Sequence, residues 1–384
     1  MKSEWRAVTL KDIVDFNPSE LLKKGAVTKK IGMADILEHQ RSIPTYEKTK
    51  YTSGTRFRNG DTLFARITPS LENGKIAQVN ILDEDEVGFG STEFIVWRYK
   101  DNISDPNFLF YLANYRPIVD AAIKSMVGTS GRQRVQLDVL QDYQYTCPPV
   151  STQKAIADTL SCLDAKIEVN NRIMKNLEEQ AQAIFKSWFI DFEPFRDGEF
   201  IESTLGNIPR DWKVGRLDDL MEITSGKRPG IREGLPINGI KVPVVGASKI
   251  MGYTNEVLFD DKIIVIGRVG THGVIQRFDY PCWPSDNTLV IKSHFYEFVY
   301  QSLKLVNFSA LNRGSTQPLI TQSDLKSLEI VIPPHRVLED YEKLASTLMS
   351  PARVNEKQNT TLATLRDTLL PKLMSGEIEV PIDQ

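Results

Sequence analysis

The sequence predicts an α+β protein built twice over. Two mixed α/β domains are each followed by one long helix, and the two helices form an antiparallel coiled coil with pseudo-two-fold symmetry. Three observations predict this: two internal matches that duplicate the chain, short strand-like runs between them, and two sustained heptad stripes.

The duplication fixes the frame. "SEWRAVTLKDIVDF" (3–16) aligns with "RDWKVGRLDDLMEI" (210–223), pairing Trp5 with Trp212, Leu10 with Leu217 and Asp12 with Asp219 at an offset of 207. "CPPVSTQKAIADTL" (147–160) aligns with "IPPHRVLEDYEKLA" (332–345) at an offset of 185. The second copy is therefore 22 residues shorter between these landmarks, as a variable module between fixed ends would be.

Between the landmarks both copies read as strands punctuated by Gly, Pro and Asn. "GDTLFARIT" (60–68) matches "DDKIIVIGR" (260–268), each an acidic turn and an apolar strand ending near an arginine. "GFGSTEFIVWR" (88–98) matches "CWPSDNTLVIK" (282–292). Helical segments follow, "NFLFYLANYRPIVDAAI" and "YEFVYQSLKLVNFSAL", each succeeded by a small-residue turn at 127–135 or 312–320. No regular βαβ alternation appears, so a doubly wound sheet is not expected. The expected boundaries are 1–150 for the first domain, 151–190 for its helix, 191–206 for a linker, 207–334 for the second domain, 335–374 for its helix and 375–384 for a tail.

Each Pro-Pro pair opens a long helix. The first stripe is Ile156, Leu160, Leu163, Ile167, Asn170, Met174, Leu177, Ala181, Ile184 and Trp188. The second is Tyr341, Ala345, Leu348, Ala352, Asn355, Asn359, Leu362, Arg366, Leu369 and Leu373. Steps alternate between four and three, the 3.5-residue period of a coiled-coil seam rather than the broader face of a surface helix. Such a helix spans roughly 55 Å at 1.5 Å per residue. Antiparallel packing would set the domains at opposite ends, which suits a protein touching two separated sites on one face of DNA. Asn170 and Asn355 are 185 apart and stand at the midpoints of their helices. Level ends would bring them together, and a buried amide in a seam can fix register.

Composition bounds the setting. With 41% apolar and 25% charged residues, the chain has the balance of an ordinary soluble protein. No apolar run reaches the length of a membrane span, and Glu4 and Arg6 interrupt any signal-peptide core, so no membrane partner and a cytoplasmic location are expected. The three cysteines have no CxxC spacing and the four histidines are scattered, which argues against a disulfide framework or a metal site. The net charge of −3 hides a partition. Residues 1–149 hold 20 basic and 19 acidic side chains and 207–334 hold 15 and 13, whereas 150–206 hold 6 and 10 and 335–384 hold 6 and 8. A polyanion would meet the two α/β domains, not the helices.

The order domain, Pro-Pro, long helix, linker, domain, Pro-Pro, long helix resembles the DNA-specificity (S) subunit of a Type I restriction-modification system. The local sequences "IPRDWKVGRLDDL", "GFGSTEFIV", "GRVGTHGVI", "GSTQPLI" and "LRDTLLPKLMSGEI" carry the same resemblance over essentially the whole chain. It implies a non-catalytic subunit whose two target-recognition domains each read one half of a split, asymmetric target in double-stranded DNA. The helices would set the spacer and dock modification subunits, which methylate adenine with S-adenosylmethionine. Restriction subunits would add ATP- and Mg-dependent translocation and cleavage. No cofactor is expected in this chain.

The residues themselves agree with a lack of catalysis. "CPPV", "IPPH" and "FNPS" do not supply the Asn/Asp-Pro-Pro-aromatic motif of an adenine methyltransferase, and no GxxxxGK[ST] loop is present for ATP. "GRVGTHG" lacks dinucleotide spacing and reads as a turn, and "DEDE" (83–86) reads as a solvated acidic loop. Binding needs cations for phosphates and Arg, Gln, Asn or hydroxyl side chains for base edges. The candidates are Lys29, Arg66, Thr68 and Ser70; Ser130, Arg132 and Gln133; Lys227 and Arg228; Thr271 and His272; and Arg313, Ser315, Thr316 and Gln317. The sets at 130–133 and 313–317 occupy equivalent turns of the two copies. The rival reading is a two-headed protein-interaction adaptor that never touches DNA, which the near-neutral charge favours.

Overall fold

The computed structural model describes residues 4–129, 131–234, 236–237, 239–269, 273–311 and 319–381. It divides into two compact units, residues 1–172 with 354–384, and residues 173–353. Each unit thus holds one α/β domain and one half of each long helix, Val150–Phe189 and His335–Met374.

In the first unit a four-stranded antiparallel sheet runs in the order Val14–Phe16, Phe94–Tyr99, Thr62–Ala65, Ile76–Gln78. Its strands are apolar on both faces because both are covered. Phe64, Ile95 and Trp97 point to the helical side, and Leu63, Phe94 and Val96 point to Ile31 and Phe57 of a second sheet. That second sheet orders Glu47–Lys50, Val27–Ile31, Gly88–Gly90 and Thr55–Phe57, with a parallel pairing of Val27–Ile31 to Gly88–Gly90. A two-stranded pair, Arg6–Thr9 with Gln144–Cys147, closes the domain just before the Pro-Pro turn. Asp105 starts the helix Pro106–Ala113 by accepting from the N–H groups of Asn107 and Phe108, both at 2.9 Å.

The second unit repeats this plan. Glu222–Ser225, Thr288–Lys292, Ile263–Gly267 and Ile275–Phe278 form its four-stranded sheet in the same order. Ile264, Ile266, Leu289 and Ile291 face one core, and Ile263, Val265 and Val290 face the other. Val242–Val245 pairs antiparallel with Ile250–Thr254 and parallel with Trp283–Pro284. Lys213–Arg216 pairs with Glu329–Ile332, so Arg6 and Lys213 keep the offset of 207 while Cys147 and Ile332 keep that of 185.

The long helices are antiparallel within each unit. In the first, Ile156, Ala157 and Leu160 share a core with Leu370, Leu373 and Met374. In the second, Phe185 and Phe189 share one with Leu338, Tyr341 and Ala345. Pro351 and Pro371 stand inside the second helix, each removing a backbone donor without ending it.

The register differs from the one expected. Asn170 is fully buried, but its amide donates to Gln358 Oε1 at 2.9 Å and Asn359 Oδ1 at 2.8 Å, not to Asn355, which is half-buried. The reason is the tilt of Cα–Cβ bonds toward each helix's own N-terminus. In an antiparallel pair, side chains at level positions lean apart, so contact falls about one turn further along the partner. Asn359 in turn donates to Asn171 Oδ1 at 2.8 Å, and Asn170 Oδ1 is left buried without a partner among the described residues.

One seam position is solved differently in the two units. Asp164 accepts from Arg366 at 2.7 Å and from the Tyr111 hydroxyl at 2.5 Å, with its side chain 5% exposed. Its equivalents 185 residues away, Met349 and Ala181, pack together in an apolar cluster. Removing one partner of a buried pair costs roughly 3–5 kcal/mol, whereas replacing both with apolar groups is often neutral. Arg366→Ala is accordingly expected to cost about 3 kcal/mol or more in urea denaturation, and Asp164→Met combined with Arg366→Ala to recover most of it. A single variant as stable as the parent chain would contradict the assignment.

Candidate nucleic-acid interface

In the first domain the strand Thr62–Ala65 runs out into Arg66, Ile67, Thr68, Pro69 and Ser70. Beside it lies the turn 127–135. Isolated bridges join Ile67 to Arg134 and Val127 to Arg134. Thr68 N–H donates to the Gln133 carbonyl at 3.0 Å, and Gln133 N–H donates to the Thr68 hydroxyl oxygen at 3.0 Å. Val135 N–H donates to the Arg66 carbonyl at 2.8 Å, and Arg66 N–H to the Glu93 carbonyl at 2.9 Å. Two candidate sets far apart in sequence, Arg66, Thr68 and Ser70 with Arg132 and Gln133, therefore share one loop pair. Gly128 makes its turn with φ of +136°, where a Cβ would sit 2.8 Å from the Arg132 carbonyl oxygen.

Within the pair the roles divide. Thr68 is 9% exposed and works as the bracket between the loops. Arg132 is exposed, Arg66, Ser70 and Gln133 half so. Arg134, adjacent to the candidates, is held by Glu93 at 2.6 Å, and that bond is the first cause of the lowered Glu93 carboxyl pKa.

The second domain repeats the main-chain bonds that hold the strand end. Arg268 N–H donates to the Asn287 carbonyl at 3.0 Å, Ile320 N–H donates to the Arg268 carbonyl at 3.0 Å, and a bridge joins Val269 to Leu319. Val135 and Ile320 are again 185 apart. The candidates Ser130, Thr271, His272, Arg313, Ser315, Thr316 and Gln317 lie outside the described residues. Sequence reasoning omitted Arg268 from the candidates, although "DDKIIVIGR" ends on it as "GDTLFAR" ends on Arg66.

Lys227 and Arg228 are exposed beyond the strand Glu222–Ser225. The preceding Gly226 allows this path, because a Cβ there would lie 2.2 Å from the Ser285 carbonyl oxygen. Lys227 N–H donates to the Pro284 carbonyl at 2.9 Å, and its own carbonyl accepts from Trp283 Nε1 at 2.6 Å. The backbone is pinned and the side chains are presented.

Lys29 leaves the candidate set. It is 6% exposed and paired to Asp83 at 2.8 Å and Glu86 at 3.1 Å, so its charge is spent inside the domain. The acidic run 83–86 is correspondingly not a purely solvated loop. Burial pushes the Glu86 carboxyl up, but bonds from the Thr28 hydroxyl, Asp83 N–H and Lys29 outweigh it and hold it at about 2. Burial also pushes the thiols of Cys147 and Cys282 up to about 12, which leaves them protonated and poorly nucleophilic. Among the described residues no group of three His, Cys, Asp or Glu side chains is placed to hold a metal.

Two equivalent α/β domains, each packed on antiparallel segments of the two long helices, define a class of internally repeated proteins. A sequence profile described as Type I restriction modification DNA specificity domain matches residues 2–179 and 209–348, and the chain belongs to that family. The MjaIX specificity subunit of a Methanocaldococcus jannaschii Type I restriction enzyme is 27% identical over 300 residues, which cover 71% of this chain and 69% of that one. The HindI specificity subunit of Haemophilus influenzae is 26% identical over 408 residues, covering 84% and 87%. The crystal structure of a Type I restriction-modification S subunit from M. genitalium shares the fold, with a TM-score of 0.56 and 15% identity over 99% of this chain and 97% of that one. No helix among the described residues is long and apolar enough to cross a membrane.

The Glu86 geometry sets a pH dependence. Its folded-state pKa lies below the ordinary 4.5, so its contribution is complete above about pH 4.5 and is lost as the pH falls toward 2. Thermal melts are expected to show an acid-labile component in that window that Glu86→Gln removes. Identical pH profiles for the two proteins would refute the assignment.

Proposed function

We propose that this chain reads a bipartite, asymmetric target in double-stranded DNA, one half with each α/β domain. The observation that carries this reading is the repeated strand end, at which the same pair of main-chain bonds holds Arg66 in one domain and Arg268 in the other. Binding of this kind is salt-dependent through phosphate neutralisation, while base edges select the sequence. Membership of the specificity-domain family supports the same reading.

On this proposal the long helices dock the modification subunits and set the spacer between half-sites. Methylation with S-adenosylmethionine, and ATP- and Mg-dependent translocation and cleavage, belong to the modification and restriction subunits. This chain is non-catalytic and works in the cytoplasm. The absence from its sequence of Asn/Asp-Pro-Pro-aromatic and GxxxxGK[ST] motifs supports the assignment.

Footprinting of the chain with its modification subunits is expected to protect two short segments around an unread spacer. Protection of one continuous segment would sink the bipartite reading. Retention on duplex DNA at low salt and release at high salt separates the proposal from a protein-only adaptor, which shows neither. Exchange of residues 1–149 for those of another specificity subunit is expected to change one half-site of the genomic methylation pattern and leave the other intact.

A further inference from the structure

Arg66 and Arg268 end the same strand of the two domains, Thr62–Ala65 and Ile263–Gly267. Each is held through its backbone by the same two bonds. The N–H donates across the sheet to Glu93 or Asn287, and the carbonyl accepts from Val135 or Ile320. Around them the sequences differ, Ala-Arg-Ile-Thr in one and Gly-Arg-Val-Gly in the other.

The two arginines share a further property. In both, Nε is buried and has no hydrogen-bond partner among the described residues. Neither side chain forms a hydrogen bond or an ion pair with any described residue. Other arginines that anchor this fold are matched to acceptors: Arg98 to Asp61 and Glu20, Arg277 to Glu178 and Glu297, Arg366 to Asp164. The residue opposite Arg66 is Glu93, whose carboxylate is hydrogen-bonded by Arg134, while the nearby Arg66 charge adds to the lowering of its pKa without a bond. The residue opposite Arg268 is Asn287, which is neutral. A guanidinium cannot shed its charge, so a buried donor on it costs free energy until an acceptor arrives. Its fixed fork fits two acceptors side by side.

We propose that Arg66 and Arg268 are the equivalent DNA-contacting arginines of the two domains, one for each half of the target. Each engages a pair of adjacent acceptors, supplied by a guanine edge through O6 and N7 or by a backbone phosphate. The inference rests on the DNA-reading function proposed above.

The test uses the full chain with its modification subunits and duplexes carrying the methylated sequence found in its genome, each half altered in turn. Fluorescence anisotropy is measured across a salt series, with the melting temperature of every variant. With a guanine edge as the acceptor, Arg66→Ala loses about ten-fold or more in affinity and loses discrimination in one half only. Arg268→Ala does so in the other half, and lysine at either position does not restore it. With a phosphate as the acceptor, each alanine variant weakens all sequences and lowers the salt slope by about 0.9, and lysine restores most of the binding. Either pattern supports the proposal. Alanine variants that bind within two-fold of the parent chain overturn it. So does a loss that follows a fallen melting temperature with the salt slope and sequence discrimination unchanged. If the parent chain itself shows no salt-dependent binding to duplex DNA, the DNA-reading function fails, and this inference with it.

Discussion

Neither α/β domain closes its own core, and this dependence on borrowed helix surface organises the molecule. The underside of the first domain is completed by Ile156, Ala157 and Leu160 of one helix and Leu370, Leu373 and Met374 of the other. The second is completed by Phe185 and Phe189 together with Leu338, Tyr341 and Ala345. The two halves of each helix therefore serve different domains, and the start of one helix must lie against the end of the other. Antiparallel pairing follows from that requirement, and so does the discontinuity of the first unit in sequence. Polar contacts reinforce each junction. Tyr145 donates its hydroxyl proton to the Met374 carbonyl at 3.0 Å, and Glu178 accepts from Lys304 at 2.6 Å.

Duplication conserved the geometry of the seam and let its chemistry diverge. In the first unit its polar members are Asp164, Asn170, Gln358, Asn359 and Arg366; in the second the equivalents of the ion pair are Met349 and Ala181. Buried polar groups are a poor source of stability but an effective source of discrimination between alternative pairings. A chain with two similar helices has such alternatives. An antiparallel pairing of the first helix with another copy of itself would set Asp164 against Ala181 and strand a carboxylate without its guanidinium. The native pairing satisfies both charges.

Much of this was legible in the sequence because repetition is a strong signal. The offsets of 207 and 185 recur in the strand pairs that close each domain, since those strands belong to the framework on which the rest depends. The heptad period located the helices, and the alternation of Leu63 with Phe64 or Ile263 with Ile264 followed from strands buried on both faces. What escaped was side-chain direction and pairing. Counting residues aligns Asn170 with Asn355, but Cβ tilt carries its amide to Asn359. Asp164 stands one position off the stripe, and nothing local distinguishes it from a solvated aspartate until Arg366 is placed beside it 202 residues later. Lys29 reads as a free cation for the same reason, because Asp83 and Glu86 are far along the chain.

The candidate interface shows how such a framework accommodates change. Among the described residues, the hydrogen bonds of Arg66 and Arg268 are main-chain bonds to neighbours whose side chains differ, Glu93 against Asn287 and Val135 against Ile320. Bonds of that kind do not depend on the side chains around them, so the loops beyond can vary while the arginine stays where the strand delivers it. The Thr68–Gln133 bracket adds a side-chain bond in the first domain, and Gly128 supplies the turn that brings Arg132 alongside. Position is thus set by the shared sheet, and identity by loops that the sheet does not constrain. On the proposed function, two domains with one architecture can in this way differ in the sequence they read, because the sheet that places each arginine does not fix the side chains beside it.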